Sequence, residues 1–393
     1  QCGEVLTPLG GSKVREKGSG CGVKVLFTGG GTAGHINPAL AAAGYLLKKE
    51  PDAQILYVGN KGGMEERLVP QAGYPIQTVH ISGFQRKLTP KNLWRNAQTV
   101  VRVFTATAEA KKILREFAPD VCVGTGGYVC GPVIREAAKL GIPCVVHESN
   151  AFPGVTIRML AKSVTTVMLA VPDAKKYFDA SVHCVVTGNP VRGEVLAAQR
   201  EESRKALGLD ERPLVLSFGG SLGAAAINRA AAYMLGESAK EKKYQHIHGY
   251  GQHDEKFLEE CREFGLDVNR SPQIRLLEYI DNMPQCLSAA DLVISRAGAM
   301  TLTEIEAKAK ASLLIPSPNV AENHQFHNAM ALVNRDAAVL IEEKDLTGEK
   351  LWETVNEILS KPGRAEEIGR NARAMAVLDA NERIYRIIKA KAK

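Results

Sequence analysis

No stretch of this 393-residue chain approaches the roughly 18 uninterrupted apolar residues that a membrane-spanning helix requires. The first 21 residues, Gln1 to Cys21, lack the apolar core of a secretion signal. They are rich in Gly, Ser and Lys and are expected to form a flexible tail. The eight cysteines, at 2, 21, 122, 130, 144, 184, 261 and 286, include no CxxC pair and no Cys/His cluster with zinc spacing. Several sit in apolar segments such as DVCVG and IPCVV, where a reduced, buried thiol is the ordinary state. A disulfide framework is not expected at this length and density. There is no Walker A sequence, so ATP-type phosphoryl transfer has no support, and no Asp-x-Asp pair to anchor a metal-bound sugar nucleotide. A soluble cytoplasmic protein is therefore the expectation, and no metal or other cofactor is expected.

Acidic residues are also missing from one long stretch. Between Arg67 and Ala108 there is no Asp or Glu, while Arg67, Arg86, Lys87, Lys91, Arg95 and Arg102 all fall there. The net charge of +7 is therefore unevenly placed. A solvated face explains such a run most simply. A surface for phosphate or anionic lipid explains it more sharply.

The apolar fraction of 45% and charged fraction of 24% belong to a globular protein, and the length allows two domains, each with its own core. Short apolar runs alternate with helical patterns, which predicts parallel-sheet βαβ units. Strands are expected at Val23–Thr28, Gln54–Val58, Val121–Gly124, Cys144–His147, Thr166–Leu169 and Cys184–Thr187. A second set is expected at Leu214–Phe218, Tyr244–His248, Ile274–Glu278, Leu292–Ser295, Ser312–Pro316 and Ala338–Ile341. Helices fit between them, among them Pro38–Lys49, Ala106–Phe117 and Thr301–Lys310. VLFTGGGTAG at 25–34 and VLSFGGSLGA at 215–224 echo one another as strand, glycine turn and helix start. The fold class read from this pattern is α/β: two Rossmann-like domains facing one another across a cleft. The domains are expected at 22–187 and 188–374, divided at Gly188-Asn189-Pro190, with the helical segment 375–393 crossing back onto the first.

The first glycine turn, Gly29 to Gly34, fits GxGxxG, a weak signal alone. Asn37 reads as N-cap of the following helix, with Pro38 at its first position. Such a turn lets backbone approach a ligand and aims free N–H groups at an anion. A nicotinamide dehydrogenase is the natural rival, but it requires an acid at the end of the second strand to hold a ribose. Here Gly59, Asn60 and Lys61 end that strand. His35 follows the turn directly; a lone His is usually structural, yet at a cleft an imidazole can take a proton near neutral pH. In the second half, Gly219 to Gly223 form another strand-to-helix turn, and strand 291–295 runs into the small residues Ala297–Ala299 and a helix from Thr301. Glu304 lies in that helix's first turn, where it either complements the dipole or accepts hydrogen bonds from a ribose diol. Arg192, just past the domain junction, is a candidate to stabilise a departing diphosphate.

GGGTAGHINPAL, GTGGYVCGP, HESNAFPG, TGNPVR, FGGSLGA, RAGAMTLTE and ENHQFHNA, in this order from Thr28 to Ala329, resemble the signature segments of the MurG family. The resemblance implies the GT-B glycosyltransferase fold. It also implies inverting transfer of N-acetylglucosamine from UDP-N-acetylglucosamine to lipid I, the undecaprenyl-diphosphate muramyl-pentapeptide, whose C4 hydroxyl attacks the anomeric carbon. The likeness places donor contacts at Thr32, Ala33, Gly34, Asn150, Arg192, Ser221, Ile280, Gln325 and the run Ala299, Met300, Thr301, Leu302, Thr303 and Glu304. It places the acceptor diphosphate at Gly31, Gly126, Gly127 and Tyr128, with His35 as base and Glu148 and Asn150 as positioning groups. Two departures stand out: GTAGH replaces the usual GTGGH, adding a methyl group at Ala33, and HESN replaces HEQN while keeping Asn150. The same fold also serves UDP-sugar 2-epimerases and diacylglycerol glycosyltransferases. Nucleic acid is not expected as a partner, because no aromatic-basic motif is present. Phe84, Arg86, Lys87, Lys91, Trp94 and Arg95 form either an ordinary loop and helix or a patch that holds the enzyme peripherally on the anionic cytoplasmic face of the bacterial membrane.

Overall fold

Strands buried on both faces read as unbroken apolar runs, and the chain contains two sets of them. The structure, a computed structural model, describes residues 22–81, 90–220, 222–251, 254 and 256–392. The first set is β1 (Lys24–Thr28), β2 (Gln54–Asn60), β3 (Ile76–Val79), β4 (Val121–Gly124), β5 (Cys144–Glu148), β6 (Thr166–Leu169) and β7 (Cys184–Val186). They form one parallel sheet in the order β3-β2-β1-β4-β5-β6-β7. The second set is β8 (Leu214–Phe218), β9 (Gln245–Gly249), β10 (Ile274–Leu277), β11 (Leu292–Ser295), β12 (Ala311–Leu314) and β13 (Val339–Leu340). It forms a parallel sheet ordered β10-β9-β8-β11-β12-β13. Helices cover the faces, as short right-handed crossovers between parallel strands require.

Both sheets reverse their direction of winding beside their first strand, between β1 and β4 and between β8 and β11. Ligands of open parallel sheets bind beyond the carboxyl ends of strands at such switch points. The segments emerging there are Gly29–Gly31 after β1, Thr125–Tyr128 after β4, Gly219–Gly223 after β8 and Arg296–Gly298 after β11. These are the segments that carried the glycine and small-residue signals in the sequence.

Three local expectations are corrected. The helix after the first turn begins at Ala33, four residues before the expected Asn37 cap, and Pro38 lies inside it. The N–H groups of His35 and Ile36 both reach the Thr32 carbonyl, at 3.0 and 3.3 Å, which starts the helix. Pro38 deprives only the Gly34 carbonyl of its helical donor, and Gly34 is exposed to water. The strand β3 was missed, because a four-residue run after Tyr74-Pro75 carries little pattern. The helix expected from Ala106 begins at Pro90 and runs to Phe117.

The last two helices part company. Arg364–Met375 stays with the second sheet and buries Ile368 and Ala372. Ala380–Lys391 lies against helix Ala33–Lys49 and buries Ile384 and Ile388 in the core beneath β1. Polar contacts flank that seam: Tyr45 Oη donates to Glu382 Oε2 at 2.8 Å, and Tyr385 Oη and Lys389 Nζ both donate to Glu50 Oε1 at 2.7 Å.

Candidate active site in the cleft

The two glycine turns of the first sheet interlock through backbone. Gly30 N–H donates to the Gly126 carbonyl at 3.3 Å, and a Cβ on Gly127 (φ +80°) would lie 2.1 Å from the Gly30 carbonyl oxygen. Only glycine fits there. Buried polar groups hold the turns from behind. Tyr57 Oη donates to the Gly29 carbonyl at 2.8 Å, Thr125 Oγ1 to the His35 carbonyl at 2.6 Å and Asn60 Nδ2 to Tyr128 Oη at 3.2 Å. The fully buried carboxyl of Glu65 accepts from Asn60 N at 2.8 Å and Gly31 N at 3.4 Å. An acid therefore does follow β2, but it turns under the loop, where it braces backbone and cannot face a ribose. No sequence signal singled out Tyr57, Asn60 or Glu65.

His35 sits in the first turn of its helix with Nδ1 3.1 Å from the Gly30 carbonyl and 3.1 Å from Thr32 Oγ1. A carbonyl can only accept, so Nδ1 carries the proton and Nε2 keeps a free lone pair. Burial holds the imidazole below its ordinary pKa; the Gly30 carbonyl opposes this, and His324 of the second domain adds to it. A Cβ on Gly126 would lie 3.2 Å from Nε2, so the missing side chain leaves that nitrogen room. The ring is thus a neutral base at physiological pH.

Across the cleft, β11 leads through Gly298 into helix Ala299–Ala307, whose first N–H groups have no acceptor within the helix and whose Met300 and Thr301 line the space between the domains. Glu304 and Arg192 pair there through two hydrogen bonds, Nε to Oε1 at 2.8 Å and Nη2 to Oε2 at 3.2 Å. A cavity of about 640 Å³ opens between the domains. Asn37 and Leu40 of the first helix wall it on one side, and Arg192, Ile280, Met300 and Glu304 on the other. Thr301 and Gly220 also reach it.

Not every expected contact faces this space with its side chain. Leu302 is packed in the second domain's core, and Thr303 Oγ1 donates to the Ala299 carbonyl at 2.9 Å and accepts from Asn189 Nδ2 at 3.0 Å. Around Ala299, Leu302 and Thr303, backbone is what a ligand could meet. Asn150 has both ends of its amide engaged: Nδ2 donates to Glu148 Oε1 at 3.0 Å and Oδ1 accepts from Asn328 at 3.1 Å. Glu148 also accepts from the backbone of Asn150 and Gly154, and burial raises its pKa against those bonds. Gln325 Oε1 accepts from Ser317 N at 2.9 Å, which leaves its NH₂ group for other acceptors. Thr32, Ala33 and Gly34 are exposed at the start of the first helix. Ser221, Phe84, Arg86 and Lys87 lie outside the described residues, and Lys91, Trp94 and Arg95 fall on the helix Pro90–Phe117.

Asn328 was not foreseen as a bridge between the domains. Besides Asn150 it accepts from Ala151 N at 2.9 Å and donates to the Ala297 carbonyl at 3.2 Å. Phe152 stacks on His327 at 5.0 Å beside it, so the loop after β5 is bound to helix His324–Val333.

Residues 25–169 match the glycosyltransferase family 28 N-terminal domain, and residues 214–384 match the glycosyltransferase family 28 C-terminal domain. A UDP-N-acetylglucosamine--N-acetylmuramyl-(pentapeptide) pyrophosphoryl-undecaprenol N-acetylglucosamine transferase of Thermoanaerobacter sp. (strain X514) is 44% identical over 369 residues, covering 94% of this chain and 100% of the relative. Its counterpart in Halalkalibacterium halodurans is 43% identical over 373 residues, with 94% and 100% covered. Among solved structures, MurG of Acinetobacter baumannii superposes with a TM-score of 0.75 at 29% identity, covering 94% of this chain and 99% of that one. A UDP-GlcNAc 2-epimerase from Neisseria meningitidis shares the fold, with a TM-score of 0.63 at 12% identity over 94% and 100% of the two chains.

Proposed function

The chain belongs to glycosyltransferase family 28 and, within it, to the MurG transferases, and from that premise we propose how its cleft carries the sugar from donor to acceptor. The enzyme transfers N-acetylglucosamine from UDP-N-acetylglucosamine to the muramyl-pentapeptide of lipid I, a step of peptidoglycan synthesis. One observation carries the detailed reading. The cavity between the domains has the first glycine turn's helix on one wall and the Arg192–Glu304 pair on the other.

In this reading the second domain holds the donor. Glu304 accepts from the ribose diol, and the N-terminus of Ala299–Ala307 and Arg192 face the diphosphate, where helix dipole and guanidinium stabilise the charge that grows as UDP leaves. The acceptor diphosphate lies against the backbone of Gly31 and Gly126–Tyr128, while the exposed residues Thr32, Ala33 and Gly34 meet the donor. The acceptor's C4 oxygen attacks the anomeric carbon from the face opposite UDP. The bond to the β-phosphate oxygen breaks, UDP takes the electron pair and His35 Nε2 takes the hydroxyl proton. Anomeric configuration inverts.

The acceptor's polyprenyl tail is fixed in a bilayer, while among the described residues no helix is long and apolar enough to cross one. We assign contact with the anionic cytoplasmic surface to the segment holding Phe84, Arg86, Lys87, Lys91, Trp94 and Arg95. UDP release assayed with and without a soluble lipid I analogue tests the function. Release that requires the muramyl acceptor supports it. Release without acceptor, together with a free epimerised sugar, or release that requires diacylglycerol, would overturn it.

A further inference from the structure

Ser217 on β8 and His248 on β9 are register partners, and both are fully buried. Ser217 Oγ lies 2.7 Å from His248 Nδ1, and His248 Nε2 lies 3.2 Å from Asn228 Oδ1. Asn228 Nδ2 donates twice, to the Tyr250 carbonyl at 2.8 Å and to Asp254 Oδ2 at 2.7 Å. The direction of the whole chain follows from these partners. With both Nδ2 hydrogens given to acceptors, Asn228 turns its carbonyl to His248, which must donate from Nε2 and accept from Ser217 at Nδ1. A single neutral tautomer satisfies every member, and burial holds His248 at about 3, so the imidazole is neutral at physiological pH. Such a row of Ser, His and Asn could be mistaken for a nucleophile and its base. Ser217 is enclosed between strands, where no substrate reaches it.

Its far end lies beside the cleft. Tyr250 and Asp254 belong to the loop leaving β9, and that loop touches the glycine turn after β8 through backbone. A Cβ on Gly251 would lie 2.1 Å from Gly223 N, and one on Gly223 would lie 2.2 Å from the Tyr250 carbonyl oxygen. Gly220 of the same turn lines the cavity. Asn228 also sits in the first turn of the helix that follows, where its own N–H bonds the Ala224 carbonyl at 2.9 Å. One buried amide thus ties the helix after the turn to the loop against which the turn rests.

We propose that Asn228 is a positioning residue for the sugar-nucleotide half of the reaction. Through Tyr250 and Asp254 it sets where the turn Gly219–Gly223 stands, while His248 and Ser217 fix the orientation of its amide. The inference rests on the reading that this side of the cleft holds the UDP-sugar. Losing the two part-buried hydrogen bonds that Asn228 gives to the loop corresponds to about tenfold in affinity.

The test uses the full-length chain and the variants Asn228→Ala, Asp254→Ala and Asp254→Asn, with donor KM, acceptor KM, thermal midpoint and calorimetric UDP affinity measured for each. Asn228→Ala raises donor KM and UDP Kd about tenfold and leaves acceptor KM within about twofold. Asp254→Ala, at a residue that is itself partly exposed, raises donor KM about threefold, and Asp254→Asn restores it because a carboxamide oxygen still accepts. Should Asn228→Ala fail to fold, the Asp254 pair decides. Donor KM unchanged in Asp254→Ala, or donor and acceptor KM rising together as the thermal midpoint falls, would overturn the inference while the parent still binds UDP. A parent that does not bind UDP would overturn the underlying reading and this inference with it.

Discussion

Arg192 grips Glu304 side-on, with its Nε and Nη2 on the two carboxylate oxygens at 2.8 and 3.2 Å. Arg192 follows the Gly188-Asn189-Pro190 junction, and Glu304 lies 112 residues later in the helix after β11. The pairing leaves the Nη1 end of the guanidinium unspent on the carboxylate and holds a nearly buried acid at the cavity wall. Two groups expected separately from the sequence, one for the diphosphate and one for the ribose, therefore form one fork. Glu304→Ala is expected to weaken donor binding by about 1.5–3 kcal/mol, the worth of a charged hydrogen-bond acceptor. Arg192→Ala should lower kcat as well, because it leaves Glu304 without its partner and the departing UDP without a cation. The double variant should be less impaired than the sum of the single ones, since residues in contact couple. Steady-state kinetics on all three decide. Glu304 is the sixth residue of helix Ala299–Ala307, beyond the first turn expected for it, because the helix begins two residues before Thr301, so it does not complement the helix dipole. Unchanged donor KM with a lowered thermal midpoint would reduce Glu304 to a structural partner of Arg192.

His35→Ala should lower kcat by about 10² to 10⁴ with little effect on UDP affinity. The pH profile carries a sign. Burial depresses the imidazole's pKa, so the free base is present above it and is lost as pH falls through a midpoint below the ordinary 6.5. The acid limb of kcat/KM, which reports the free enzyme, should lie below pH 6.5 in the parent and be absent in the variant. A loss of less than threefold would move the base elsewhere.

Much of this arrangement was legible because backbone wrote it. Strands such as Leu214–Phe218 and Thr166–Leu169 are buried on both faces, so their apolar runs stand out. Glycines at Gly31, Gly126 and Gly127 are demanded by positive φ and close approach, and that demand survives in a single sequence. What escaped was the support behind the turns. Glu65, Asn228 and Asn328 lie in or at the start of helices and look like solvated polar residues. Only partners 34, 26 and 178 residues away make them structural. The first helix was misread for a related reason. Thr32 begins it without a side-chain cap bond, so the local grammar pointed to Asn37 and Pro38 instead.

The crossing of the C-terminal helix should matter to stability more than to chemistry. Ile388 is fully buried against the first sheet, although the helix before its own, Arg364–Met375, stays with the second. Ile388→Ala should cost about 2–5 kcal/mol, read as a lower thermal or denaturant midpoint, with kcat at low temperature nearly unchanged. A midpoint equal to the parent's would show that this helix does not anchor the first domain.

Membrane contact through the acid-free segment is electrostatic in part and therefore sensitive to salt. Binding to vesicles containing anionic lipid should weaken as salt rises, and binding to neutral vesicles should be absent. Each basic residue near the surface contributes about 1 kcal/mol, so replacing Arg86, Lys87, Lys91 and Arg95 with Ser should abolish sedimentation with vesicles. Activity on a short-chain soluble acceptor should persist. Equal vesicle binding by variant and parent would remove the assignment.

In the proposed reaction a single displacement takes place across the cleft, with UDP leaving one face of the sugar as the muramyl hydroxyl enters the other. Nuclear magnetic resonance of the product formed from UDP-N-acetylglucosamine and a soluble lipid I analogue tests it most directly. A β-linked disaccharide, formed with one UDP released per sugar transferred and at a rate that collapses in His35→Ala, is the expected result. An α-linked product, or free sugar in place of the disaccharide, would contradict it.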